Sequence, residues 1–333
     1  MFLRMKVTVI MAVYNAAPWI DRSLGSLLQQ THTNLEILCV DDCSTDNSLS
    51  ILQAYAVQDP RIRVLTSEKN AGPAVARNKA IAVMTGAVAA FLDADDWLSA
   101  DAIEKAVMTF KSHPGTDCVL FSCIIRQPDG TDKPYPQSYF EVKSGYEAFV
   151  DSLTWAIHGV YVARAELYQR YPYDTTCRTF SDDNTTRLHY YISREVRCCE
   201  GRYYYQYNPQ SISNNTTISR LDYLRANESM KRQLVSLGVS DAVLRLYERQ
   251  RWLILVDAYY FYHTHRHHFT PQERDYCLRE IRRVWSCIDL SLLPRKLCMK
   301  LGYMPLRFSW RLFCWQEEIY FSLRKLFHPK SFL

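Results

Sequence analysis

The sequence predicts an α/β protein with a mostly parallel sheet flanked by helices, followed by a helical C-terminal region. In the first hundred residues, four short apolar runs alternate with three segments of helical spacing, which is the pattern of a parallel sheet covered by helices. Polar clusters directly follow three of these four runs. From residue 221 onward the apolar spacing is helical throughout. We therefore place a domain boundary near residue 220.

Each element has its own local signal. The first run, Val7–Val13, is rich in β-branched residues, and the helix after it carries Ile20, Leu24 and Leu27 on one face. Pro73 stands in the first turn of another helix, where its missing N–H is tolerated. The predicted strands cover residues 7–13, 35–40, 61–66, 87–92, 117–125 and 196–207. The predicted helices cover residues 17–30, 45–55, 73–84 and 101–111, with a loop leading into another helix at 180–191.

Composition limits the function classes. The chain has 333 residues, is 48% hydrophobic and carries a net charge of +5, so a sizeable core is expected and nucleic acid is not an expected partner. The eleven Cys follow no repeated spacing, which is typical of reduced thiols. We find no signal peptide and no apolar run near the roughly 20 residues that a transmembrane helix needs. We therefore expect a cytoplasmic protein.

The polar clusters predict a phosphate-handling site. Tyr14-Asn15, Asp41-Asp42 and the Asp93-Ala94-Asp95-Asp96 stretch all follow predicted strands, so they should meet at one edge of the sheet. Carboxylates two residues apart on a loop can share a hard cation that also binds substrate phosphates. Helix capping near Ser99, and an Asx turn at Asp41-Asp42, remain open alternatives. A glycine-rich phosphate loop does not follow the first run.

These residues also carry a family resemblance. VIMAVYN at 9–15, LLQQT at 27–31, VDDCSTD at 40–46, NAGP at 70–73 with ARN at 76–78, and FLDADD at 91–96 resemble, in this order, the start of family 2 glycosyltransferases. The resemblance is strong over the first hundred residues and thins toward residue 213. It implies the Rossmann-like GT-A fold, with a catalytic domain at 1–220 (nucleotide-sugar half 1–100, acceptor half 101–220) and a helical region at 221–333. It also implies inverting transfer of a sugar from a nucleotide-diphosphate donor, usually a UDP-sugar.

The resemblance implies roles for individual residues. The donor-binding residues would be Val13, Tyr14, Asn15, Asp42, Arg77, Asp93, Ala94 and Asp95. Val13 and Tyr14 would flank the base, and Asp42 would contact it. Arg77 would lie near the nucleotide. Asp93 would lie near the ribose and the metal, and Asp95 would ligate the Mg²⁺ or Mn²⁺ that bridges the diphosphate.

Inverting transfer also needs a general base for the acceptor hydroxyl. The matching stretch is Ser181-Asp182-Asp183, where the family usually has Glu-Asp, so Asp183 is the expected base and Asp182 its orienter or a helix cap. Capping of the following helix by both acids stays open. Asp96 is expected to cap a helix or contact the acceptor, and His158 to contact the acceptor.

The C-terminal tail predicts an amphipathic helix. Its apolar stripe consists of Phe308, Leu312, Trp315, Ile319, Leu323 and Leu326, and residues 305–333 carry an excess of basic residues. Such a helix either lies on an anionic membrane surface or docks on the catalytic domain by the same stripe. The expected setting is surface-polysaccharide assembly on a saccharide or lipid-linked acceptor, with the protein peripheral on the inner face of the cytoplasmic membrane. The alternative function is an inactive nucleotide-sugar or glycan-binding module.

Overall fold

The computed structural model describes residues 5–137, 139–207, 216–294 and 309–327, with the side chains of 325–327 left out. The chain forms two compact units, residues 1–211 and 212–333. The division falls shortly before the predicted residue 220, because Leu221 and Ile218 pack into the core of the second unit. Among the described helices, none has the length and apolar character needed to cross a bilayer.

The first unit contains the α/β sheet. Its strands are β1 (Val7–Val13), β2 (Leu35–Asp41), β3 (Ile62–Thr66), β4 (Val88–Phe91), β5 (Trp97–Leu98), β6 (Thr116–Arg126), β7 (Asp132–Pro134), β8 (Val142–Ser144), β9 (Tyr161–Arg164) and β10 (Glu195–Gln206). Its helices are α1 (Ala17–Leu28), α2 (Ser48–Gln58), α3 (Pro73–Ile81), α4 (Ala102–Ser112), α5 (Gly145–Leu153), α6 (Ala165–Arg170) and α7 (Asp182–Ile192). Every strand and helix predicted for this unit is present, with ends shifted by a few residues.

The sheet is mixed rather than uniformly parallel. Its main order is β3-β2-β1-β4-β9-β6-β10-β5, in which β3, β2, β1 and β4 are parallel neighbours, as predicted. The short strand β9 enters between β4 and β6 and is antiparallel to both, which the sequence did not indicate. Parallel β6 and β10 then continue the sheet.

The core lies on both faces of this sheet. On one face, the apolar stripe of α1, with Ile20, Leu24 and Leu27 fully buried, packs with α4 against β1 and β2. On the other face, small alanines of α3 pack with Ile10 and with the aromatic residues that follow β9. One close approach is specific to glycine: a Cβ on Gly201 of β10 would lie 2.7 Å from the Cα of Ala102 in α4. That glycine lies at a register shift between β10 and β6.

The second unit is helical, as predicted. It contains α8 (Asp222–Ser236), α9 (Asp241–His265), α10 (Pro271–Cys287) and α11 (Trp310–Phe327). A capping box of Thr270 and Glu273 starts α10. Within the described part of this unit, aromatic residues of α9, α10 and α11 form one core, with Trp252, Phe313 and Phe321 among its buried members.

Candidate functional site

The three predicted polar clusters meet at one edge of the sheet. They follow β1, β2 and β4, and β1 pairs in parallel with both of the other strands, so the carboxyl ends of the three strands lie side by side. The loops after β1 and β2 are tied together by Asn15, whose Oδ1 accepts from the amide of Thr45 at 2.8 Å. Tyr14 is 47% exposed at this edge, whereas Val13 is buried. An exposed aromatic ring is therefore presented beside the strand ends.

Asp42 organises a third loop at this edge. The residue is buried, and its carboxylate accepts hydrogen bonds from the backbone N–H of Ala71 (3.0 Å) and Gly72 (2.7 Å). Gly72 has φ +92°, and a Cβ there would meet Arg178 at 3.2 Å. The segment before α3 is therefore held against the end of β2 from one side and against residue 178 from the other. The sequence indicates either a contact of Asp42 with the base or an Asx turn, and it does not indicate these backbone partners.

Arg77 joins the two halves of the first unit. Its guanidinium donates from Nη2 to Oδ1 of Asp93 (2.7 Å) and from Nη1 to Oδ2 of Asp182 (3.2 Å). The group is only 4% exposed and lies over the rings of Phe91 (4.6 Å) and Tyr173 (5.0 Å). Burial disfavours the charge of Arg77, but the carboxylates of Asp93 and Asp182 outweigh this effect and raise the pKa of Arg77. The guanidinium thus fixes the acidic loop after β4 relative to the start of α7.

The acidic loop after β4 offers two carboxylates to the site. The side chains of Asp93 and Asp95 are both partly exposed, whereas Ala94 between them is buried. The loop is fixed from outside by Arg22, whose Nη2 donates to the carbonyl of Asp95 at 2.9 Å and whose guanidinium lies 3.9 Å from the ring centre of Trp97. The sequence gave no sign that Arg22 would take part.

The chemistry of these carboxylates fits a divalent cation whose coordination shell the substrate phosphates would complete. Within the described residues, no group of three or more His, Cys, Asp or Glu side chains is assembled for a metal ion. Two carboxylates on one loop, Asp93 and Asp95, match instead the way in which Mg²⁺ is commonly bound, by one or two carboxylates and substrate phosphates. The first of these also bonds to Arg77, which orients it.

Asp96 differs from the role expected for it. It is 1% exposed, and its two oxygens accept from the hydroxyl of Tyr203 (2.6 Å) and the amide of Gln206 (2.7 Å). The helix-cap prediction is wrong, since α4 begins at Ala102, and the buried carboxylate ties the acidic loop to β10 instead of facing an acceptor. Burial, together with Asp93 and Asp95 nearby, raises the pKa of Asp96 well above its usual value.

Asp182 and Asp183 begin α7, a helix that is polar in sequence and yet buried. Residues 184–190 of this helix are all buried, and several of their polar groups bond to neighbours: the Asn184 amide donates to Asp174, and His189 bonds the Tyr161 hydroxyl. Both acids remain partly exposed at the helix start. A helix held by so many fixed bonds keeps its first turn in place.

The predicted caps of α7 are not formed as expected. Ser181 stands at the N-cap position, but its hydroxyl donates to the carbonyl of Cys177 at 2.9 Å. Asp182 lies in the first turn and accepts from Arg77. Phe180, the residue before Ser181, has φ +64°, a backbone conformation that residues other than glycine rarely adopt. The turn that delivers the two acids is therefore fixed by tertiary contacts rather than by a local cap.

His158 is buried behind the start of β9. Its ring Nδ1 atom accepts from the amide of Val160 at 3.3 Å, and burial lowers the pKa of His158 to about 4, so the imidazole is neutral at pH 7. The backbone carbonyl of the same residue accepts from the Tyr190 hydroxyl of α7 at 2.7 Å. The contact of His158 with an acceptor stays a prediction.

Comparisons with known proteins agree with this architecture. The model of glycosyl transferase family 2 matches residues 8–181. A putative teichuronic acid biosynthesis glycosyltransferase of Bacillus subtilis, TuaG, is 48% identical over 99 residues, which are 30% of this chain and 39% of that protein. The glycosyltransferase GlyG of Streptococcus pneumoniae is 39% identical over 98 residues, or 29% of this chain and 33% of its own length. The aligned parts therefore span well under half of these curated relatives.

Solved structures show the same fold over nearly the whole chain. Residues 1–349 of TarS from S. aureus, in complex with UDP-GlcNAc, superpose with a TM-score of 0.75 at 17% identity, covering 99% of this chain and 93% of that one. A mannosyltransferase from Pyrobaculum calidifontis, in complex with GDP-Man and Mn²⁺, gives a TM-score of 0.55 at 18% identity, covering 99% and 89%. At these identities the likeness concerns the fold alone.

Proposed function

Because the chain belongs to glycosyl transferase family 2, we propose that it transfers a sugar, with inversion, from a nucleotide-diphosphate donor to a saccharide or lipid-linked saccharide. The observation that carries the proposal is the Arg77 bridge, in which one guanidinium bonds both Asp93 of the acidic loop after β4 and Asp182 at the start of α7. A donor diphosphate bound at the acidic loop and an acceptor hydroxyl bound at the start of α7 would then lie next to each other.

The donor side of the site suits a UDP-sugar. We assign the base to the exposed Tyr14, with Val13, Asn15 and the Asp42-bound segment 70–72 forming the surrounding loops. The donor of the TarS complex is UDP-GlcNAc, and that of the archaeal enzyme is GDP-Man with Mn²⁺. We assign Asp95, and Asp93 beside the ribose, as the ligands of Mg²⁺ or Mn²⁺. When bound, such a cation stabilises the negative charge that develops on the leaving diphosphate.

Asp183 is the proposed general base. It is partly exposed at the start of α7, while Asp182 next to it is held by Arg77. The Asp183 carboxylate would take the proton of the acceptor hydroxyl as this hydroxyl attacks the anomeric carbon, and the diphosphate would leave from the opposite face, which inverts the configuration. The buried remainder of α7 keeps that carboxylate from shifting. Positioning of this kind can account for a large share of the rate.

The acceptor is proposed from the setting of a relative. The Bacillus subtilis relative is named for teichuronic acid biosynthesis, so we propose surface-polysaccharide synthesis for this chain as well. A lipid-linked acceptor would place the reaction at the inner face of the cytoplasmic membrane, with an anionic membrane surface as a further partner of the tail. A transfer assay with defined donors and acceptors identifies the sugar and the linkage.

One experiment tests the donor, the metal ligands and the base together. Thermal unfolding of the wild-type protein is screened with nucleotide sugars, with and without Mn²⁺, and the stabilising donor is then used in a transfer assay. We expect a metal-dependent shift for a UDP-sugar, lost in Asp95→Asn and kept in Asp183→Asn, with transfer by the latter reduced at least about 100-fold. Asp129→Asn, in the exposed turn at 127–130, is the matched control and should change neither quantity.

Two results would contradict the proposal. Wild-type turnover by Asp183→Asn would remove the general base from α7. Donor binding that is identical with and without metal, in both the wild type and Asp95→Asn, would remove the cation from the acidic loop. Donor binding without transfer to any acceptor would favour the inactive binding module instead.

A further inference from the structure

Among the described residues, helix α11 packs into the second unit by one face. Phe313, Glu317 and Phe321, spaced four residues apart, are buried, and the two phenylalanines belong to the core of this unit. The ring of Phe313 lies 5.9 Å from that of Trp252 in α9, in an edge-to-face arrangement. These contacts fix the helix and determine which of its residues face outward.

The predicted apolar stripe is not the face that packs. Leu312, Trp315, Ile319 and Leu323 are 39%, 62%, 37% and 45% exposed. Packing within the second unit uses instead the neighbouring positions 313, 317 and 321. Phe308, the first member of the predicted stripe, lies outside the described residues, and so does the side chain of Leu326. Four large apolar side chains along three turns of one helix form a continuous exposed surface, which we call the α11 stripe.

The two acidic groups of α11 add little uncompensated negative charge to this surface. Glu317 is 0% exposed, and within the described residues neither of its carboxylate oxygens has a hydrogen-bond partner. Burial raises the pKa of Glu317 to about 8, so the group is mostly neutral at pH 7. Glu318, whose side chain is 30% exposed, accepts from Arg266 at 2.6 Å and contacts His263 at 3.0 Å. One carboxylate of the helix is thus buried and the other is paired with a cation, whereas Arg311 is exposed beside the stripe.

The sequence around the helix is basic as well. Residues 295–333 contain eight Lys or Arg and two Glu, and these two are the buried Glu317 and the Arg266-bound Glu318. A helix with a central Trp, aliphatic neighbours and flanking cations is suited to the boundary between lipid headgroups and acyl chains. Each basic residue near an anionic leaflet adds to the attraction. A protein partner or a second copy would not require this excess of positive charge.

We propose that the α11 stripe binds the surface of a bilayer that contains anionic lipids, with Trp315 and its aliphatic neighbours inserted at the interface. The helix would lie parallel to the membrane while its opposite face stays in the core of the second unit. The proposal goes beyond the transfer reaction, and the two can fail separately, because vesicle binding needs neither donor nor acceptor.

The test is co-sedimentation of the full chain with vesicles. Wild-type protein is mixed with vesicles of phosphatidylcholine alone or with added phosphatidylglycerol, and Trp315→Ser combined with Leu323→Ser is compared with Val235→Ser. Val235 is 56% exposed on α8 of the same unit and is the matched control for loss of a surface apolar group. We expect binding to the anionic vesicles only, weakened at least about 10-fold in the double variant, unchanged in the control, and reduced by salt.

Further measurements keep the result interpretable. Because the replaced side chains are exposed, thermal unfolding and donor binding of the double variant should match the wild type. Equal vesicle binding by the wild type and the double variant, or the absence of wild-type binding, would overturn the proposal. A wild-type dimer in sedimentation velocity that the double variant loses would assign the stripe to a second copy and would overturn it too.

Discussion

Replacing Arg77 tests whether its guanidinium couples the two acids of the site. Arg77→Lys keeps a positive charge but offers one nitrogen, where the guanidinium uses Nη2 for Asp93 and Nη1 for Asp182. An ammonium does not reproduce this forked geometry. Arg77→Ala also removes the charge and leaves space beside the rings of Phe91 and Tyr173. The two variants therefore separate geometry from charge.

The expected free energies follow from the contacts. Two unit charges 4 Å apart attract by about 4 kcal/mol at an effective dielectric constant of 20. The side chains of Asp93 and Asp182 are 39% and 38% exposed, so solvent screening reduces each pair to roughly 1 kcal/mol. Lost packing of the buried side chain adds roughly 1 kcal/mol. Arg77→Ala should then destabilise the first unit by about 3 kcal/mol, and Arg77→Lys by about half as much.

The assay is thermal unfolding combined with two double-mutant cycles. Arg77→Ala is paired in turn with Asp93→Asn and Asp182→Asn, and we expect a coupling energy of about 1 kcal/mol in each cycle. Arg63→Ala is the matched control, because Arg63 is half-exposed and lies 3.8 Å from Glu36, so its removal should cost under about 0.5 kcal/mol. In a transfer assay, Arg77→Lys should lower kcat about 10- to 100-fold through misplaced acids. Coupling energies near zero in both cycles, with wild-type kcat in the lysine variant, would refute the bridge.

Three further tests, with four substitutions, concern local features of the chain. Cys43 has φ +64°, so Cys43→Gly should raise the free energy of unfolding by about 1 kcal/mol in denaturant titrations; a loss would contradict the strain. Gly201→Ala should lower the free energy of unfolding by about 2 kcal/mol, because the added Cβ would meet Ala102. Gly25→Ala, in open space on α1, should raise it by about 1 kcal/mol. Equal effects of the two substitutions would argue against the close approach at Gly201. Burial raises the pKa of Glu317 from 4.5 to about 8, so its folded form binds the extra proton and stability falls as pH rises between these values. Glu317→Gln should therefore match the wild type near pH 4 and exceed it by roughly 5 kcal/mol at pH 9, and parallel pH profiles of the melting temperature would rule this out.

The sequence predicted those parts of the site that are close together along the chain. The acids after β4 and the residues after β1 and β2 were identified because apolar runs and polar ends are local patterns. The bond from Arg77 to Asp182 joins residues 105 positions apart, and no local pattern reports such a contact. Asp96 was misjudged for the same reason, since its partners lie on β10.

The direction of the side chains on a helix was the second feature that the sequence did not predict. The apolar spacing of α11 was read correctly as helical, but spacing alone does not distinguish a stripe that packs from one that stays exposed. Phe313 and Phe321 form an alternative apolar face on the same helix, and tertiary packing selected that face. The burial of α7 is a similar case. Its polar sequence is typical of a surface helix, and only the tertiary structure shows that Asp174 and Tyr161 bond to its polar side chains.

The antiparallel strand β9 has a consequence for the order in which the chain acquires its structure. Strands β1 to β4 all lie within about the first ninety residues, so they can assemble as soon as that length of chain is available. The other edge of β4 is covered by Tyr161–Arg164. A nascent chain or a truncated fragment that ends before β9 therefore exposes an apolar strand edge, which is prone to aggregate. The segment that brings Asp182 and Asp183 follows Tyr161–Arg164 in the chain, so these two acids are synthesised only after the strand that covers this edge.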